Sequence, residues 1–298
     1  MLIYHATPDY TAVNRYWSKV LNPEPLSILV SFLYIRGAVN KLVELKGGTN
    51  PKIASLFLDS GTYTIHNQLK PDPTSKSRFL EYAQYVKLYG RHFDVIATYD
   101  EDFSDPELNQ YNNERLELIL GSNPETSKIL PAVHGGDVKQ HPHQLTGPEE
   151  FAFYKDRGYR YIAIGSFPGL NDDSWQDLQR IRGDAKIHFF GNFKTDVLLN
   201  KNPFSIDGSH YAKIASVHAI CIWNATTLKL ETIELTAVTE DHTQQDRITA
   251  LREYIGTNFR DITLDSVIAD PYDRQLLNMF AIQQMQKTLN EIENSRNG

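Results

Sequence analysis

A chain of 298 residues with 41% apolar composition is long enough for one large domain or two small ones and can fill a sizeable core. Its formal net charge of −7 does not suggest a nucleic-acid binder, which usually carries a basic face, although a local patch can still steer a polyanion. The single cysteine, Cys221, excludes an intrachain disulfide framework and any zinc site built from several cysteines. No apolar run is long enough to span a membrane, and the start MLIYHATPDYTAV lacks the basic and apolar regions of a signal peptide, so the expected setting is reducing and cytoplasmic.

Short apolar runs recur along the chain: LSILVSFLYI (26–35), IASLFL (53–58), FDVIATY (93–99), ILPAV (129–133), YIAIGSF (161–167), IHFFG (187–191) and FSI (204–206). Several are continuous rather than alternating, as in strands of a parallel sheet buried on both faces. Helical patterns separate them at 75–90, 112–121, 147–158 and 174–183, and each ends at a glycine. Strand–helix alternation of this kind predicts an α/β fold. An open doubly wound sheet usually shows a Gly-rich phosphate loop after an early strand, and none is present. The expected architecture is therefore a (β/α)8 TIM barrel. Beyond Cys221, residues 219–238 alternate and predict either a hairpin or a final barrel strand with an insertion, and 244–256 and 271–294 are helical, with Pro271 starting the last helix. The predicted organisation is a single domain over 1–298, with the barrel spanning about 1–240 and a C-terminal helical segment packed on it over about 241–298.

Polar residues gather where the strands end. Asp59-Ser60-Gly61, Tyr99-Asp100, His134-Gly135-Gly136, Gly165-Ser166, Gly191-Asn192 and Asp207-Gly208-Ser209 each follow an apolar run. In a barrel these positions share one mouth, the C-terminal face where such enzymes place their sites. An Asp before Ser-Gly is also an ordinary Asx turn or helix N-cap; recurrence at successive strand ends is what sets these apart. Two separated aspartates suit substitution at an acetal-like carbon, one attacking the anomeric centre and the other handling protons. A third, Asp100, suits the donor edge of a purine-like base. Lys186, Lys194, Lys201 and Lys213 form a candidate basic patch, and Tyr63, Tyr99, Phe167 and Phe193 are candidate stacking residues.

These segments resemble the tRNA-guanine transglycosylase superfamily. LDSGTY (58–63) is similar to its Asp-Ser-Gly-Gly-Phe motif, ATYDED (97–102) to Ala-Phe-Asp-Glu-Cys, AVHGGD (132–137) to Val-Gln-Gly-Gly, and YIAIGSF (161–167) to its Ala-Ile-Gly-Gly strand; HFFGNFKTDVL (188–198) then leads into FSIDGSHY. The matches keep their order over roughly residues 53 to 215. The resemblance implies Asp207 as nucleophile at C1′ of a nucleoside, Asp59 as general acid/base, Asp100 on the amino-pyrimidine edge of the base, and Gly165 and Ser166 as backbone contacts, with Ser60 and Gly61 counted among the substrate-binding residues. His134 stands where the family has a base-contacting Gln, and imidazole lacks the paired donor and acceptor of an amide. The tRNA enzymes carry a zinc site of three Cys and one His, which one cysteine cannot build. The chain is more similar to the zinc-free, phage-type DNA 7-deazaguanine transglycosylases, which exchange guanine in DNA for a base such as preQ0. That implies DNA as partner, with tRNA as the alternative, a 7-deazaguanine base as substrate, no metal or cofactor and no membrane, and it admits a homodimer. Two rivals remain: a metal-dependent barrel hydrolase using His134, His141 and His143, and a non-catalytic binding subunit.

Overall fold

Each apolar run reads as continuous because both of its faces are buried, one toward a barrel lumen and one toward surrounding helices. The structure, a computed structural model, describes residues 1–35, 39–68, 75–135, 145–165, 172–191, 195–236 and 245–297. The first half runs β1 (Leu2–Ala6), α1 (Tyr10–Lys19), β2 (Leu26–Ser31), α2 (Phe32–Ile35), α3 (Val39–Lys46), β3 (Ile53–Asp59), α4 (Thr62–Gln68), α5 (Ser75–Tyr89), β4 (Val95–Ala97), α6 (Pro106–Leu120) and β5 (Ile129–Leu130 and Ala132–Val133). The second half runs α7 (Gly147–Asp156), β6 (Tyr161–Ile164), α8 (Asp172–Arg182), β7 (Lys186–Phe189), α9 (Thr195–Lys201), β8 (Ser205–Gly208), α10 (His210–Ser216), β9 (Ala219–Asn224), β10 (Lys229–Glu234), α11 (Gln245–Asn258), α12 (Leu264–Ala269) and α13 (Pro271–Asn297).

The parallel sheet is ordered β5–β4–β3–β2–β1–β8–β7–β6–β5. It closes because β5 is one strand broken at Pro131: Ile129–Leu130 pairs with β4, and Ala132–Val133 pairs with β6. Proline has no N–H to donate to a ladder, while its carbonyl accepts from Ala163 at 2.8 Å. Eight parallel strands result, the (β/α)8 barrel expected from the sequence. Tyr4, Leu29, Phe57, Ala97, Leu130 and Ala163 fill the lumen. The alternate residues, such as Ile3, Ile28, Leu56, Ile96, Ile162 and Ile206, meet the helices.

One expectation needs correction, and one pair of alternatives is decided. The strand that completes the barrel is β1, an N-terminal segment that the apolar runs did not single out. It inserts between β2 and β8, with Tyr4 opposite both Ser27 and Asp207. Residues 219–234 form a separate antiparallel hairpin, β9–β10, and not a barrel strand. The run at 26–35 is also shorter as a strand than its apolar character suggests, because Phe32–Ile35 turns helical.

The last helix, α13, is buried on more than the single stripe its pattern predicts. Leu277, Met279, Ile282 and Met285 are fully buried, and so are the polar groups Asn278 and, nearly, Arg274. Asn278 bridges the Tyr211 carbonyl and the Cys221 N–H, and the Arg274 guanidinium donates to the carbonyls of Ala215, Val267 and Ile268. Buried polar atoms persist where they are paired in this way. The helix also holds β1 in place, since Gln286 accepts the Ile3 N–H at 2.6 Å. Leu277→Ala should destabilise the protein by about 2–5 kcal/mol, read from its urea midpoint. Leu118→Ala, at a site 83% exposed, should change stability by no more than about 0.5 kcal/mol.

Candidate active site

The C-terminal ends of the strands bring Asp59, Asp100, His134, Gly165 and Asp207 to one mouth. Alternation decides this: Asp59 continues the inward series Ser55–Phe57, His134 continues Leu130–Ala132, and Asp207 follows Ser205 on β8. Sequence-predicted residues from five different strand ends therefore share the same opening.

Asp59 keeps partial contact with solvent, and its Oδ2 accepts the Gly61 N–H at 3.2 Å, an Asx turn. Its carboxyl is pushed up to about 6, first by burial and then by the charge of Asp207, with Asp100 adding to the effect and the Gly61 N–H opposing it. A carboxyl poised there exchanges protons near neutral pH. Gly61 has φ +79, and a Cβ would come within 2.6 Å of the Leu33 side chain, so only glycine makes this turn. Ser60 is buried with its hydroxyl 3.1 Å from that of Thr62. This contact sits at the entry to α4.

Asp207 is buried, and its Oδ1 accepts the Gly191 N–H at 3.0 Å. His188 Nε2 lies 3.3 Å from the same oxygen, at ion-pair distance but off the line of a good hydrogen bond. Asp100, 4% exposed, faces His134, with Nε2 and Oδ2 3.0 Å apart in a similarly off-line contact. Burial alone lowers the His134 pKa, but the charge and hydrogen bonding of Asp100 and the charge of Glu150 outweigh it, and the net shift is upward. The imidazole stacks on Phe103 with centroids 4.1 Å apart. His134 thus faces Asp100 as well as the mouth.

Glu150, on α7, is absent from the sequence reading. Its Oε2 accepts the N–H groups of His134 and Gly135 at 2.9 and 2.8 Å. Burial pushes its carboxyl up to about 7 against those bonds and the His134 charge. The sequence offered a signal in Glu149-Glu150: Glu149 completes a capping box with Thr146, which turns its neighbour inward. Gly165 makes room for His134, since a Cβ there would sit 3.2 Å from Nδ1. The Gly165 N–H is committed to the Val133 carbonyl, so only its carbonyl remains to face a ligand.

Other candidates separate. Tyr99 is core, packed edge-on against Phe79 and tilted on Tyr82. Tyr63 is 60% exposed beside the mouth, as is Tyr34, 67% exposed, beyond the end of β2. Lys186 starts β7 at the opposite end of the barrel, over the Phe204 ring, and Lys201 lies over Trp175, so these two do not form a patch at the mouth. Ser166, Phe167, Asn192, Phe193, Lys194, Gly136, Asp137, His141 and His143 lie outside the described residues. Among the described residues no group of three or more His, Cys, Asp or Glu is arranged to hold a metal ion.

No protein-family model matches the chain, and no curated protein matches it. Its fold is similar to that of a Coccidioides immitis protein described as a fructose-1,6-biphosphate aldolase, at 13% identity and TM-score 0.52, covering 98% of this chain and 91% of that one. Weaker likenesses reach the 3-hexulose-6-phosphate synthase of Salmonella typhimurium (13% identity, TM-score 0.40, 70% of this chain and 88% of that one) and the carboxyl transferase domain of Rhizobium etli pyruvate carboxylase (11%, 0.39, 94% and 48%). The first of these likenesses agrees with the barrel fold and leaves the chemistry to the site.

Between the unfolded value near 3.8 and the folded value of about 6, the native protein binds a proton at Asp59 that the unfolded chain has released. Ionising Asp59 therefore costs stability as pH rises through that window, and the cost is fully present above it. Asp59→Asn should stabilise the fold by about 1–2 kcal/mol at pH 7.5 and leave it nearly unchanged at pH 4, measured by urea denaturation at both values.

Proposed function

We propose that the protein is a base-exchange glycosyltransferase that replaces guanine in DNA by a 7-deazaguanine through an Asp207-linked nucleotide. The observation that carries this reading is the convergence of Asp59, Asp100 and Asp207 on one barrel mouth, with Asp59 raised to about 6 by burial and by its two acidic neighbours. Three carboxylates with different partners are what a double displacement at a nucleoside needs.

In the first step a carboxylate oxygen of Asp207 bonds to C1′ as the C1′–N9 bond breaks, and the departing base takes the proton of Asp59. In the second, N9 of the incoming 7-deazaguanine attacks C1′, gives its proton back to Asp59, and the Asp207 ester oxygen leaves as carboxylate. Two inversions retain the sugar configuration. Asp100 meets the amino-pyrimidine edge of the base, and His134 steadies it from the far side. The target nucleotide must leave its stack to reach this mouth, and the exposed rings of Tyr34 and Tyr63 suit stacking against it. The choice of DNA over tRNA rests on the sequence resemblance.

Labelled preQ0 should enter duplex or single-stranded DNA with the wild-type protein and not with Asp207→Ala. Label confined to tRNA would keep the chemistry and change the polymer, and absence of label from all three polymers would sink the proposal. Asp59→Asn should slow exchange by about 10²–10⁴-fold, and the wild-type rate should show an inflection near pH 6 that the variant lacks.

A further inference from the structure

A chain of buried polar groups crosses the barrel lumen beneath Asp207. Tyr161 opens β6, Ser205 opens β8, and His188 sits on β7 between them, with Ala163 and Ser205 as its ladder neighbours. The Tyr161 hydroxyl hydrogen-bonds Ser205 Oγ, Ser205 Oγ lies 2.7 Å from His188 Nδ1, and His188 Nε2 lies 3.3 Å from Asp207 Oδ1. His188 and Ser205 are fully buried, and the rings of Tyr4, Phe57 and Phe190 present edges to the imidazole. Barrel lumens are ordinarily filled by branched apolar side chains, and polar groups are tolerated there only when paired.

The pairing works in one direction. An imidazole nitrogen that faces a carboxylate carries its proton, so Nδ1 is left to accept. Ser205 then donates to Nδ1 and accepts from Tyr161, whose hydroxyl stays protonated because burial, with Tyr4 adding to it, pushes its pKa up. At the far end one oxygen faces both groups: the Gly191 N–H donates to Asp207 Oδ1 at 3.0 Å, and His188 Nε2 lies 3.3 Å from the same oxygen, off the line of a good hydrogen bond. Among the described residues no hydrogen bond reaches Oδ2. The outer end of the chain reaches the opposite face of the barrel, where Tyr161, Tyr4, Ser55 and Lys186 help line a cavity of about 450 Å³.

We infer that Tyr161, Ser205 and His188 form a directional relay that fixes Oδ1 of Asp207 as the bystander oxygen and presents Oδ2 to the reacting carbon. The inference rests on the glycosyl-transfer reading for the identity of that carbon. When the C1′–Oδ2 bond forms, Oδ1 becomes the carbonyl oxygen of the ester, still accepts from Gly191 and still faces His188 Nε2. The ester is therefore held in place for the second displacement, and no proton leaves the relay. The three are positioning residues: none of them touches the substrate.

The test that is independent of activity is 15N NMR of the full chain labelled at histidine, with the His188 signals identified by their loss in His188→Gln. The relay requires the Nε2–H tautomer with Nδ1 accepting, and it requires Ser205→Ala or Tyr161→Phe to move the Nδ1 resonance. An Nδ1–H tautomer, or a resonance unmoved by both variants, overturns the relay whatever the protein catalyses. For exchange itself, Ser205→Ala should lower kcat about tenfold with KM within about twofold, and Ser205→Thr should restore most of it. Unchanged kcat in Ser205→Ala and Tyr161→Phe would overturn the positioning role. If the tautomer and its response hold while the wild type exchanges no base, the exchange reading falls and the relay stands.

Discussion

Carboxylates crowded into a partly dry barrel mouth repel one another, and the way each is compensated organises the rest of the site. Asp100 faces the imidazole of His134, whose pKa it raises. Asp207 faces His188 and the Gly191 N–H. Asp59 has the Gly61 N–H and the Ser31 hydroxyl to lower its pKa, which burial and the two neighbouring charges outweigh. Burial and the neighbouring charges hold the Asp59 proton to about pH 6, so its behaviour is set by its surroundings and not by its side-chain chemistry.

That distribution of partners depends on a lumen that is polar along one wall. β6, β7 and β8 contribute Tyr161, His188, Ser205 and Asp207, while β3, β4 and β5 contribute Phe57, Val95, Ala97, Leu130 and Ala132. The apolar wall gives the barrel its packed centre, and the polar wall links the mouth to the opposite face. Glu150 adds a second buried acid behind His134, bonded to the backbone that carries it. The wall that carries His134 is thus held from behind by α7, and His188 of β7 lies below Asp207.

The placement of Asp207 also relies on the two ends of the chain. β1 lies beside β8 and sets Tyr4 opposite Asp207. α13 secures β1 through Gln286, and the Met1 amine bonds to Asn290 and Glu293 of the same helix. Tyr211 on α10 donates to the Ala6 carbonyl where β1 ends, and Tyr82 on α5 does the same for Ala97 at the end of β4. Such bonds satisfy carbonyls at the rim, where the strand ladder gives out. They tie the outer helices to the positions from which the acidic residues project.

The amino-acid sequence by itself determined the barrel class and the identities of its acidic strand ends. Runs such as IASLFL and YIAIGSF separated by helices leave few alternatives, and Asp59, Asp100 and Asp207 follow their runs directly. It did not reveal β1, because LIYHA is short and its His5 lies buried against Gln283 of α13, a partner 278 residues away. Nor did it separate a hairpin from a barrel strand at 219–234, since alternation is the same in both. His188 stood in plain view within IHFFG, yet only closure of the barrel brings it beside Ser205 and Asp207. Tyr99 shows the converse, an aromatic residue at a strand end that the tertiary structure turns into the core. Local pattern sets which residues point inward along each strand, whereas the partner that each inward side chain meets depends on register and closure across strands far apart in the chain.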